Sequence, residues 1–252
     1  MGERKRRVEA RRSNLVRRTV PGQVVLALTI LAPAVIARGE AEFTQEFRLE
    51  DCHFSDEGRN AYFSLEPGNR IVLKGEDDGK PLVVQITVLE DVESISFRTH
   101  AGQTVAVRAR VVEERESVGG ELAEVSRNFF ARCTETNDIL YFGEEVDLYH
   151  DGAITGHEGA WRAGLSGALP GLMMPGSFLI GSRYFQEHAP GVALDRAENV
   201  AQGLTITVPA GTFPDCVKVL ETSPLDRGGP STKVYCAGIG LVVDDGARLA
   251  AP

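Results

Sequence analysis

Four side chains in one short stretch have the types and spacing to hold a metal ion. The segment EEVDLYHDGAITGHEGAW (144–161) carries Glu145, Asp147, His157 and Glu158 on either side of the turn dipeptide Asp151-Gly152. A two-residue turn there pairs His150 with Ala153. Unbroken register then sets Asp147 against Gly156, Val146 against His157, and Glu145 against Glu158. Directly opposed like charges destabilise a sheet by roughly 0.2–1 kcal/mol, so something must offset them. A hard divalent cation such as Ca²⁺, ligated by carboxylate oxygens, would do so. So would a nearby arginine, Arg162 or Arg132, or plain solvation on an exposed face. A second polar group, Gln186, Glu187, His188, Asp195 and Glu198, either joins that site or forms an ordinary ion-pairing surface.

Two catalytic patterns fail on inspection. Gly164-Leu165-Ser166-Gly167-Ala168 approximates G-x-S-x-G, but a nucleophile elbow needs a strand before it, a helix after it, and an acid followed by a histidine. Neither flank fits, and no histidine follows His188. His157-Glu158 opens like the zinc-protease helix motif, yet Trp161 stands where the second histidine belongs.

The same region suggests a different chemistry. Ala163 to Ser182 is a run of 20 uncharged positions, AGLSGALPGLMMPGSFLIGS, with five glycines and two prolines that exclude a continuous helix. It reads as an ordered apolar loop. Trp161, Leu165, Leu172, Met173, Met174 and Phe178 then either plug the core or wall a pocket for a lipophilic ligand, to which the two flexible methionines are suited.

The elements that would position these residues alternate with a period of two. RIVLKGE, PLVVQITVLE, TVAVRARVVEERE, LAEVSRNFFARC, LTITVPAG and CVKVLET all read as strands. Between such segments stand Asp78-Gly79, Gly119-Gly120, Asn137-Asp138, Asp151-Gly152 and Asp245-Gly246. The expected fold is all-β, a single domain of roughly 12 antiparallel strands forming a large curved sheet, half-barrel or barrel-like. A short helix is expected around Leu194 to Val200. Cys216 and Cys236 each lie ten residues from Asp226, so a hairpin centred there brings them face to face. Cys52–Cys133 follows by elimination. Without a C-x-x-C pair, zinc is the poorer use of four cysteines.

Residues 1–37 have the order of an export signal. Eight basic side chains precede the uncharged run Thr19–Ala37, which ends in Val35 and Ala37 at the −3 and −1 positions of a cleavage site. Cleavage leaves 38–252 as one β-rich domain in the periplasm or outside the cell, with no transmembrane span. It removes eight of 27 basic and two of 36 acidic side chains, leaving 19 against 34, a net charge of −15. Such a surface repels phosphate backbones, so nucleic acid is excluded as a partner. A monomer is expected.

Five segments carry a resemblance: YFSLEPG (62–68), ILYFGEEVDLYHDG (139–152), EGAWRAGLSGALPGLMMPG (158–176), VPAGTFPDCVKVLETSPL (208–225) and KVYCAGIGLV (233–242). In this order they resemble a family of exported bacterial β-rich proteins of unassigned function. The V-P-A-G-T-F turn with the following strand is also similar to strand pairs in periplasmic half-barrel lipoprotein carriers. The resemblance implies a curved sheet and brings no catalytic residues. The leading expectation is an exported, non-enzymatic binding protein for a lipophilic ligand or lipoprotein. A metal-binding protein or metal-dependent enzyme, and a structural envelope protein, are the alternatives.

Overall fold

Alternating side-chain chemistry lays this chain into strands, and Asp-Gly and Gly-Gly pairs turn it back. The computed structural model describes residues 42–225 and 229–251; the export-signal segment and the turn centre at Asp226 lie outside them. The first eight strands are β1 (Phe54–Ser55), β2 (Arg70–Asp77), β3 (Lys80–Arg98), β4 (Thr104–Val118), β5 (Glu121–Cys133), β6 (Ile139–His150), β7 (Ala153–Gly156) and β8 (Trp161–Arg162). Then come β9 (Gly171–Met174), β10 (Arg183–Phe185), β11 (Arg196–Val208), β12 (Gly211–Thr222), β13 (Ser231–Cys236), β14 (Gly240–Asp244) and β15 (Ala247–Leu249). Three turns, Asp78-Gly79, Gly119-Gly120 and Asp151-Gly152, have positive φ at both central residues. That matches the right-handed strand twist and explains why these dipeptides stand there.

Among the described residues, all 15 strands belong to one antiparallel sheet, ordered β10-β11-β12-β13-β14-β15-β2-β3-β4-β5-β6-β7. β1 pairs with β5, and β8 and β9 with β6. The sheet does not close into a barrel, but its ends approach each other. Leu169 N–H donates to the His188 carbonyl at 2.9 Å, and Gly171 of β9 packs bare against the Gln186 carbonyl. The bend makes a trough. Val217 and Val219 of β12 and Tyr235 of β13 share one core with Leu73, Val84, Val88, Phe130 and Tyr141 from strands far along the sheet. Where β3 bulges between Val88 and Val92, the buried Arg110 guanidinium caps the freed carbonyl of Glu90 at 2.8 Å and also donates to Asp56 O at 2.8 Å.

The strand count exceeds the expected dozen because short segments join the sheet. β9 lies inside the uncharged run, pairing Leu140 with Leu172 and Ile139 with Met174, so that run is not a loop throughout. The expected helix at Leu194–Val200 is instead the start of β11. Ala197 and Asn199 alternate into the core there, and pairing with β10 and β12 on both sides outweighs local helical preference.

Both cysteine pairs stand at disulfide distance, Cys52 with Cys133 (Cα–Cα 5.1 Å) and Cys216 with Cys236 (Cα–Cα 4.0 Å). The second pair faces directly across β12–β13, in the expected register.

β8 is seated on β6 at Gly143 (φ 132°), where an added Cβ would run into the Trp161 carbonyl oxygen. Gly143→Ala is therefore expected to cost about 3 kcal/mol, through combined backbone strain and overpacking. Urea unfolding checks this, and an unchanged midpoint would show that β8 is not held there.

Candidate functional site

The sheet has a second, smaller apolar cluster on the face away from the trough. Val208, Cys216, Val234, Cys236, Val242 and Val243 are buried in it. What covers it is the β11–β12 hairpin. β11 shifts register against β12 three times between Asn199 and Ile206, and each shift adds local bend and twist. The hairpin tip thereby reaches the end of β15, where Ala210 N–H donates to the Leu249 carbonyl at 3.2 Å. Leu204 and Ile206 of β11 pack against the cluster from one side.

Beside this cover the cluster opens to solvent as a groove of about 430 Å³. Leu204 and Ile206 form its wall, and Val234 and Val243 are its buried floor. Its polar rim is Lys218, Thr232, Asp245 and Arg248. The Asp245 carboxylate is already engaged, accepting the Thr232 backbone N–H at 2.6 Å. An apolar floor with a few polar groups at the mouth is the make-up of a small-molecule site.

The trough has a different chemistry at one end. Register places Glu114 of β4 opposite Ser126, Glu116 opposite Glu124, and Glu144 of β6 opposite Asn128. Across the trough stand Glu221 of β12 and Lys233 of β13. The Lys233 ammonium bridges Glu221 (3.5 Å) and Asp244 (3.4 Å). Gln186 donates to Glu221 at 2.8 Å. Burial pushes the Glu114 carboxyl up to about 7, against the pull of Lys233. Burial likewise raises Glu124, Glu144, Glu187 and Glu221, with neighbouring carboxylates adding to the shift at Glu144 and Glu187. This end of the trough thus gathers, around Lys233, carboxyls that burial shifts toward their protonated form.

The acidic hairpin departs from its expected register. His150 pairs with Ala153 as the turn requires, but the ladder shifts between Leu148 and Tyr149, so Leu148, not Asp147, faces Gly156. Glu145 and Glu158 are consequently not opposed. Glu145 lies 3.5 Å from Arg162, which also bonds Glu93 at 3.2 Å. Glu158 folds back over Gly156. Only Asp147 and His157 meet, at 3.1 Å, and Asp147 also takes Arg127 at 3.2 Å. His157 Nδ1 lies 2.7 Å from the Val146 carbonyl, so it is that ring nitrogen which carries the proton. With no opposed pair to offset, Glu145 simply lies beside Arg162 on an exposed face. Among the described residues, the donors that converge closely enough for a metal are Cys52, Cys133 and Glu135. Those sulfurs face each other as a disulfide pair, and Glu135 accepts the His53 N–H at 2.8 Å, so this is not a ligand set.

The second polar group divides. Gln186 and Glu187 enter the trough, whereas Glu198 pairs with Arg183 at 2.9 Å. Of the apolar candidates, Trp161, Leu172 and Met174 are buried in the main core, Met173 and Phe178 pack on it, and Leu165 is 61% exposed. The void beside Leu169 and Pro170 measures about 10 Å³, roughly the room one water needs. Ser166 sits in an exposed turn with φ 51°. No protein-family model matches the sequence, and no curated protein or solved structure matches it either.

Proposed function

We propose that this chain is an exported, non-enzymatic binding protein for a lipophilic ligand, which lies in the groove between β11 and the β12–β15 face. The observation that carries the reading is the groove itself, an apolar floor open beside the β11–β12 hairpin, whereas Leu172 and Met174 of the uncharged run are buried in the main core. The cysteine pairs at disulfide distance are compatible with a soluble protein outside the cytoplasm. No helix among the described residues is long and apolar enough to cross a membrane.

Titration with N-phenyl-1-naphthylamine, a neutral lipophilic dye that brightens on burial, tests the site. Leu204→Glu places a carboxylate against the valine floor and is expected to weaken dye binding about tenfold or more. Leu165→Glu, on the exposed turn of the uncharged run, should leave it unchanged. The reverse pattern would move the ligand to that run. Saturable binding that survives both substitutions would sink the groove assignment.

A further inference from the structure

The floor of the groove belongs to a row of directly paired residues running across the sheet. Lys218 of β12 pairs with Val234 of β13, Val234 with Val243 of β14, Val243 with Arg248 of β15, and Arg248 with Lys74 of β2. Directly paired residues share a face, so two valines lie between a lysine on one side and an Arg–Lys pair on the other. With strands about 4.8 Å apart, Lys218 and Arg248 are separated by about 14 Å of mostly apolar floor.

What sets these cations apart is their placement on one face around an apolar floor, with two of them directly opposed. Beyond residue 37 the chain carries 34 acidic side chains against 19 basic ones. Arg110, Arg127, Arg162, Arg183 and Lys233 all find carboxylates. Lys218, Arg248 and Lys74 form no ion pair within 4.0 Å among the described residues. Arg248 and Lys74 are moreover directly opposed, an arrangement that destabilises a sheet unless an anion sits between them. The acid nearest to hand in the groove, Asp245, is tied to the Thr232 backbone.

We propose that the groove selects single-chain amphiphiles with a carboxylate head, the head held by Arg248 and Lys74 and the apolar chain laid over Val243 and Val234 against Leu204 and Ile206. This inference rests on the groove being the lipophilic site and adds the charge of the ligand. Charge complementarity chooses the occupant: a neutral lipid would leave the Arg–Lys pair uncompensated, and a cationic amphiphile would add a third like charge.

Competition against the naphthylamine dye at pH 8 tests it, using decanoate, 1-decanol and decylamine below their aggregation limits. Decanoate is expected to displace the dye at about a tenfold lower concentration than decanol, with decylamine weakest. In Arg248→Met, which removes the charge and keeps an unbranched apolar stem at an exposed position, the advantage of decanoate over decanol should disappear. Equal competition by decanoate and decanol in the unaltered protein overturns the charge selection and leaves the groove reading standing. Dye binding that none of the three displaces does the same. Failure of the dye itself to bind removes the groove reading, and the inference with it.

Discussion

Lys233→Met is expected to be among the most destabilising single substitutions in this protein at pH 8, costing about 3–5 kcal/mol. Its ammonium is the one that bridges Glu221 and Asp244, and its side chain is only 23% exposed. Its removal leaves Glu221, Asp244 and Glu114 facing one another with the local cation gone. The size of the loss should depend on pH, and the sign follows from the raised carboxyls. A carboxyl whose folded pKa lies above its unfolded value destabilises the fold only once it ionises. For Glu114 that penalty is absent below about pH 4.5 and complete above about pH 7. Glu124, Glu144, Glu187 and Glu221 shift in the same direction.

The unaltered protein should therefore melt at a higher temperature at pH 5 than at pH 8. His188, whose pKa burial lowers, works against this below pH 6.5, but it is one group against five. Glu135, held down to about 2 by its hydrogen bonds from His53, loses its contribution only below pH 4.5, outside this window. Lys233 itself, raised by Asp244 and Glu221 against the effect of burial, stays charged throughout. At pH 5 Glu114 is protonated and burial shifts Glu221 toward its neutral form, so the gap between Lys233→Met and the parent should shrink. Glu221→Gln added to Lys233→Met should recover part of the loss at pH 8. A gap of the same size at both pH values would mean that lost methylene packing, and not charge, accounts for the effect.

The trough was the least legible feature in the sequence, for a physical reason. Its acids come from β4, β5, β6, β12, β14 and the segment after β10. In each strand alone, Glu114 or Glu221 looks like the solvent side of an alternating pattern. One local sign was available: in RVVEERESV the same-parity series from Val112 runs on through Glu114 and Glu116, so an apolar face turns acidic partway along one strand. The hairpin at Asp226 could be read because its two arms keep one register from Cys216–Cys236 to Glu221–Ser231. The hairpin at Asp151 could not, since the same logic fails once a ladder shifts between Leu148 and Tyr149, and a one-residue slip changes which side chains meet. The groove depends on three such shifts in β11. LTITVPAG announces a strand, but nothing in its alternation says that the strand bends over its neighbours.

The two cysteine pairs should separate stability from binding. Cys52–Cys133 joins positions 81 residues apart and Cys216–Cys236 positions 20 apart. Constraint of the unfolded chain then makes the first worth about 4.5 kcal/mol and the second about 3 kcal/mol. Alanine pairs are the suitable probes, because Cys133, Cys216 and Cys236 are fully buried and a serine hydroxyl there would add its own penalty. The order should invert in ligand binding. Cys52 and Cys133 anchor the chain around β1 to β5, against the main core. Cys216 and Cys236 belong to the small cluster beneath the groove, where they fix β12 to β13 under the floor residue Val234. Cys52→Ala with Cys133→Ala should thus give the larger drop in urea midpoint and unchanged dye affinity under native conditions. Cys216→Ala with Cys236→Ala should lose less stability but weaken the dye several-fold, since deleting two buried sulfurs lets the floor settle. If the 216–236 pair lowers the midpoint more, the closing of the longer loop is not what sets stability. If it leaves dye binding untouched, the floor of the groove does not rest on that pair.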